Sequence, residues 1–134
     1  YDLILHNYGT ERYVGSVNVE IDEHLPLSEV SQRLNELQIE IYKIYRIYLV
    51  FGVYSVNLGQ EGSRACVENL LSRFSSVRGF HAFFIDTKKK SVRFDVVVDF
   101  AERNLGELRA AIEREISLNY PGYKIFIVIG RKFA

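Results

Sequence analysis

Cysteine is nearly absent from this sequence, and methionine and tryptophan are absent altogether. Cys66 has no second cysteine with which to form an internal disulfide, so nothing in the chain requires an oxidising compartment. We therefore expect a cytosolic setting. Because the sequence starts at Tyr1 directly in strand-like residues and has no methionine, we also expect it to be an excised part of a longer protein.

Net charge is lacking as well, since 17 basic side chains are balanced by 17 acidic ones. A chain without an overall electrostatic field does not attract nucleic acid or an anionic membrane surface, so we predict no nucleic-acid partner. Long apolar runs are also missing. The longest, Ile47 to Val56, is far shorter than the roughly 20 residues of a membrane-spanning helix and indicates a buried strand of a soluble domain.

What is present is a globular composition, 48% apolar, with alternating signals for strands and helices. Tyr1 to Tyr8 and Arg12 to Ile21 predict two strands joined by a glycine-containing turn. Pro26 predicts the start of a helix that continues to about Tyr45, because apolar residues recur there at three- and four-residue spacing. Ile47 to Asn57 predicts a third strand.

The second half of the sequence begins with a further helix and then returns to the same order. The helix is predicted by an apolar stripe at Val67, Leu70, Leu71 and Phe74. Gly79 to Asp86 and Ser91 to Phe100 predict a second hairpin. Leu105 to Tyr120 predicts a third helix, which Pro121 and Gly122 end before a last strand from Tyr123 to Gly130.

Alternation within the second hairpin predicts which side chains face the core. Val96 and Val98 share one face of their strand, and we expect both to be buried. Asp95 and Asp99 lie on the other face, and we expect them, like Asp86, to be exposed to solvent.

The two halves also share apolar positions at one constant separation along the chain. The pairs with this separation are Val19 and Val98, Ile21 and Phe100, Leu37 and Ile116, Ile41 and Tyr120, and Val50 and Ile129. We interpret them as an internal repeat, the alternative being chance matches between apolar residues. The prediction is an α+β fold of two open-faced sandwiches, tandem ββαβ units over residues 1–58 and 59–134. A helix precedes only the second hairpin, so we expect the partner helix of the first to lie upstream of Tyr1.

Chemistry-bearing residues are few, and none forms a motif with a known mechanism. The three histidines, His6, His24 and His81, lack the close spacing of a dedicated zinc site. His6, His81 and Asp86 are at most weak metal candidates, and we expect His24 to be a solvated loop residue. No nucleophile, base and acid form a triad signature, and Cys66 is more simply a packing residue. We predict neither an enzyme nor a nucleotide or other cofactor.

One run, Arg78 to Phe84, resembles the aromatic stacking motif of RNA-recognition domains, with Val53 to Leu58 as its companion. In that fold the longer motif occupies the second strand of a hairpin, whereas this run falls on the first. The only basic cluster, Lys88 to Lys90, is confined to a turn. Both observations disfavour RNA binding.

Aromatic residues are dense where the first helix meets the third strand. Tyr42, Tyr45 and Phe51 are the interface candidates of this cluster, which also contains Tyr48 and Tyr54. Aromatic density of this kind is typical of subunit contacts, but helix and strand spacing also fits core packing. Core and interface both remain open for these residues.

The segment YDLILHNYGTERYVGSVNVEI, followed by LPLSEVSQRLNELQIEIY, resembles the cytoplasmic C-terminal domain of the cation diffusion facilitator family of metal exporters. The resemblance covers Tyr1 to about Asn57 and rests on Asp2 and Leu3, the HNYG turn, Arg12, and the proline-started helix. The second half, with FFIDTKKKSVRFDVVVDF and YPGYKIFI, looks like an extension found in one bacterial branch of that family.

This resemblance implies a ferredoxin-like, metallochaperone-like open-faced sandwich that pairs as a homodimer. It implies a dimerisation or regulatory domain at the cytoplasmic face of the cell membrane, attached through upstream helices, with a divalent metal cation as the exporter's substrate. Some members bind zinc through a histidine on the second strand and a histidine and an aspartate near the third. Here Asn18 and the run Tyr54 to Asn57 occupy those places, so no metal ligands carry over. The alternative is a free-standing ferredoxin-like module that binds a small ligand or RNA.

Overall fold

A computed structural model describes residues 1–57 and 60–131 of the chain. The elements of the described residues are β1 (Ile4–Asn7), β2 (Tyr13–Asp22), α1 (Leu27–Tyr45), β3 (Ile47–Val56), α2 (Glu61–Leu71), β4 (Val77–Asp86), β5 (Ser91–Val98), α3 (Leu105–Asn119) and β6 (Lys124–Arg131). The predicted order of strands and helices is confirmed. None of the helices in the described ranges is long and apolar enough to span a membrane.

Proline and glycine account for where several of these elements begin and end. Pro26 directly precedes α1 with φ −62°, the angle at which its ring fits the start of a helix. Gly9 has φ +115° in the turn between β1 and β2, and Gly122 has φ +82° after α3. Both are angles that favour glycine, since other residues meet steric strain there.

The chain divides into two compact units, unit 1 (Tyr1–Ser55) and unit 2 (Val56–Ala134). Unit 1 holds the sheet β1-β2-β3 and α1, and unit 2 holds the sheet β4-β5-β6 with α2 and α3. The predicted boundary, between residues 58 and 59, lies outside the described residues.

Each unit contains a small open mixed sheet with its second strand in the centre. In unit 2, β5 pairs antiparallel with β4 and parallel with β6. In unit 1, β2 pairs antiparallel with β1, from Ile4 opposite Ser16 to Asn7 opposite Tyr13. On its other side Gly15 lies against Leu49 and Gly52 against Asn18, so β2 and β3 advance in the same direction. The predicted α+β class is therefore confirmed.

The two ββαβ units correspond with one change of spacing. The stretch of chain from Gly15 to its neighbour Leu49 is longer by one residue than the stretch from Phe94 to its partner Ile127. The separation at which apolar residues repeat along the chain therefore relates β2 to β5. The strands β3 and β6 are related by a separation that is one residue shorter. The predicted pair Val50 and Ile129 does not match, because Val50 is exposed and Ile129 packs on the core.

The core of unit 2 lies between its sheet and its two helices. Its members are Val67, Leu70, Leu71, Phe83, Ile85, Val92, Phe94, Val96, Val98, Leu108, Ile112, Ile116 and Ile127. Val96 and Val98 are fully buried, which confirms the predicted facing of β5. Within the described part of unit 1, by contrast, Val30 is the one apolar side chain that is buried.

The prediction that Asp95 faces solvent is wrong. Asp95 lies on the face of β5 opposite the core, yet only 7% of it is exposed. It sits on the central strand between His81 of β4 and Val128 of β6, and neighbours on both sides shield a short side chain there. The Arg93 Nη2 atom lies 3.1 Å from its Oδ1 atom. Asp99, at the strand end, is partly exposed and bonds Arg78 at 2.9 Å.

Candidate functional site

The weak metal candidates belong to different units of the chain. His6 is exposed on β1 of unit 1, whereas His81 and Asp86 lie on β4 of unit 2. His81 and Asp86 are paired with residues four positions apart on β5, which puts them roughly 13 Å from each other at the usual rise per residue. Across residues 1–57 and 60–131, no group of three or more His, Cys, Asp or Glu side chains could hold a metal ion. His24 is exposed, as predicted, with Nε2 3.4 Å from Glu23.

Asn18 and Asn57, two residues at the positions where zinc ligands were considered, have structural contacts. The Asn18 amide donates to Asp2 Oδ2 at 3.5 Å, and its side chain also lies against Gly52 of β3. Asn57 is buried, and its Oδ1 atom accepts a hydrogen bond from the amide of Ile85. Asn18 therefore bridges β2 and β3, and Asn57 holds a backbone amide of β4.

Cys66 is half-buried on α2 beside Tyr120, which follows α3. The Tyr120 hydroxyl donates to the Ser63 carbonyl at 3.5 Å. Burial raises the pKa of this hydroxyl above its usual 10.0, and the Cys66 thiol adds to the rise. A tyrosine held in its neutral form is no base for the thiol, so this pair joins the two helices rather than forming a nucleophilic site.

Two rings of the RNA-like aromatic run, those of Phe80 and Phe83, pack in or against the core of unit 2. Phe83 is 1% exposed, and the Phe80 ring packs edge-on against Phe94 with centroids 5.7 Å apart. A bulge between His81 and Phe84, with Ala82 at φ +54°, turns Phe83 inward. Phe80 and Phe83 are therefore occupied with core packing and not available to stack on bases.

A first concavity of unit 1 is formed where β2, the end of α1 and the start of β3 meet. We name it the tyrosine cleft; its volume is about 180 Å³ and it is lined by Glu11, Arg12, Tyr13, Val14, Tyr42, Arg46 and Tyr48. Its three tyrosines are 40%, 45% and 58% exposed in chain order. Arg46 has φ +57°, and its guanidinium lies 5.5 Å from the centre of the Tyr42 ring. The cleft thus combines aromatic surface with charges of both signs.

A second concavity lies on the inner face of the unit 1 sheet, beneath α1. We name it the apolar groove; its volume is about 240 Å³ and it is lined by Leu3, Leu5, Ile41, Tyr45, Ile47 and Leu49. None of these lining residues carries a charge. Leu3, Leu5 and Tyr45 are all exposed although they border the inside of the sandwich.

The structure separates the three predicted interface residues. Tyr42 lines the tyrosine cleft, Tyr45 lines the apolar groove, and Phe51 is half-buried in β3. Sequence reasoning did not find Tyr13 as a neighbour of Tyr42, because strand pairing alone brings β2 beside β3. Consecutive residues of a strand face opposite sides of the sheet, so Tyr48 and Ile47 of β3 belong to different faces. This alternation is the sequence signal that could have separated the two surfaces.

Comparisons of the chain with protein-family models, with curated proteins and with solved structures found no match. The site is therefore interpreted from its own geometry: two adjacent concavities, one aromatic and charged, the other purely apolar.

Proposed function

We propose that this chain is a non-catalytic assembly module that pairs with a second copy of itself through the tyrosine cleft. The observation that carries the proposal is the exposure of Tyr13, Tyr42 and Tyr48 around one concavity that also holds two arginines. Tyrosine and arginine are among the residues enriched at the energetic centres of protein interfaces.

Self-pairing fits the charges of the cleft. In a two-fold interface the same patch meets itself, so an ion pair across it needs both charges within that patch. Glu11 supplies a negative charge that can pair with Arg12 of the second copy, and Arg46 already lies over the Tyr42 ring. Two copies can therefore exchange ion pairs while their tyrosines bury apolar area.

The biological setting we propose is the dimerisation and regulatory domain of a divalent metal exporter, at the cytoplasmic face of the membrane, with each unit a ferredoxin-like open-faced sandwich. Two features support it: the ββαβ order of both units, and the pattern of Tyr1 to Asn57 that resembles cation diffusion facilitator domains. The gene sequence before Tyr1 is the simplest test. Six encoded hydrophobic helices support an exporter, and a start codon directly before Tyr1 contradicts it.

Sedimentation velocity of the whole chain at tens of micromolar tests the pairing. We expect a concentration-dependent dimer, and we expect Tyr48→Ser to weaken it about tenfold or more, because an exposed tyrosine at an interface centre contributes at least about 1 to 2 kcal/mol. Tyr8→Ser is the matched control, since Tyr8 is exposed but lies outside the cleft. A monomer at all concentrations, or equal weakening by both changes, contradicts the proposal.

A further inference from the structure

Unit 2 shows how a ββαβ sandwich of this chain covers the inner face of its sheet. Helix α2 lies against both α3 and β4. Its residues Val67, Leu70 and Leu71 are buried in the core, and Phe74 packs against that core just beyond the helix. Apolar side chains of α2 therefore fill the space between α3 and the hairpin.

The corresponding walls in unit 1 are α1 and β1, and these walls border the apolar groove. Leu5 pairs with Gly15, whose counterpart on β5 is Phe94. The bulge of β4 leaves Ala82 and Phe83 together opposite Phe94, with Phe83 turned into the core. Leu5 is 45% exposed, whereas Phe83 is 1% exposed. The same position is thus covered in unit 2 and open in unit 1.

The floor of the groove adds a second difference. Gly15 stands on the central strand where unit 2 has Phe94, and the side chains of Leu5 and Leu49 approach each other across it. A Cβ atom at Gly15 would meet the carbonyl oxygen of Ile4, so only glycine fits there. The side chains of Leu5 and Leu49 occupy the space above the glycine and form an apolar floor for the groove.

We propose that the apolar groove is the docking site of an amphipathic helix of the α2 kind, supplied by a segment of the same polypeptide that precedes β1. The equivalence of the units determines this occupant, because α2 shortly precedes β4 and packs between the matching walls. A stripe such as Val67, Leu70, Leu71 and Phe74 provides the apolar chemistry that a groove without charges requires. The tyrosine cleft, which carries charges, is a separate surface with a separate partner.

A grafted helix tests this inference on the whole chain. A copy of residues 60–78 is placed directly before Tyr1, because the correspondence of Leu5 with Phe83 gives Tyr1 the position of Gly79. The matched control carries the same graft with Leu70→Asp and Leu71→Asp in the copy alone. Hydrogen exchange of peptides from residues 1–55, read by mass spectrometry, reports on unit 1 separately from unit 2.

We expect the apolar graft to slow exchange in β1 and α1 at least about tenfold, and to reduce binding of a hydrophobic dye, whereas the Asp graft does neither. Equal exchange in the two grafts overturns the inference. A dimer of the ungrafted chain that Leu5→Asp abolishes and Tyr48→Ser leaves intact also overturns it, because a second copy then occupies the groove. A chain that stays monomeric contradicts only the proposed pairing, and the graft comparison still decides the occupant.

Discussion

At the scale of single residues, Val96 is one of the fully buried positions of the central strand β5, within the core of unit 2. Val96→Asp places an unpaired carboxylate there, which costs several kcal/mol, a large part of the stability of a small domain. We expect the cooperative unfolding of unit 2 in urea to be lost. Val128→Asn on the exposed face of β6 is the control, with a change of about 1 kcal/mol or less. An unchanged midpoint for Val96→Asp would show the strand register to be wrong.

Tyr120 gives a prediction about pH. Because burial raises the pKa of its hydroxyl above 10.0, the folded chain keeps a proton that the unfolded chain releases. The contribution of the Tyr120 hydroxyl to the free energy of unfolding is fully present below pH 10, and it is lost as the pH rises through the raised pKa.

We therefore expect the wild type to lose more stability than Tyr120→Phe between about pH 8 and a pH above about 10, measured as urea midpoints of both chains. Tyr8→Phe, at an exposed turn position, is the control and should follow the wild type. Parallel loss in wild type and Tyr120→Phe would contradict this linkage.

At the scale of elements, both units protect the outer strand of their sheet with a helix side chain. Gln38 of α1 donates to the Ile47 carbonyl at 3.3 Å and accepts from the Leu49 amide at 2.7 Å. In unit 2, Arg109 of α3 donates to the Ile127 carbonyl, at the position equivalent to Leu49. Such contacts satisfy backbone groups that an edge strand otherwise leaves open.

Gln38→Ala should destabilise unit 1 by about 1 to 2 kcal/mol, because two half-buried backbone groups of β3 lose their partner. Gln32→Ala is the matched control on the same helix, where the side chain makes an exposed contact with Glu36. We expect that control to change stability by less than about 0.5 kcal/mol in urea unfolding. Equal effects would mean that helix propensity, not the strand contact, accounts for the loss.

At the scale of the whole molecule, the arrangement of ligand-forming residues predicts weak zinc binding. Zinc takes four ligands, and the described residues bring no three suitable side chains together. We expect calorimetry at neutral pH to show no stoichiometric site tighter than about a micromolar dissociation constant, roughly 8 kcal/mol. Tighter binding that is lost in His81→Ala and kept in His24→Ala would contradict this.

The sequence by itself determined the order of strands and helices, the α+β class and the inward face of β5. These features depend on local periodicity, which a single helix or strand carries in its own residues. It also indicated Tyr42 and Tyr45 as interface candidates, since aromatic density is visible without coordinates.

Only the tertiary structure decided which of these residues share a surface. Tyr13 joins Tyr42 in one cleft, Leu5 joins Tyr45 in another, and Asp95 is covered by neighbours on two adjacent strands. Each of these contacts links residues far apart in the chain, and a slip of one residue in register changes them. The stretch from Gly15 to Leu49 is one residue longer than the stretch from Phe94 to Ile127. This change of register became visible only when the strand neighbours were known, because no local pattern marks it.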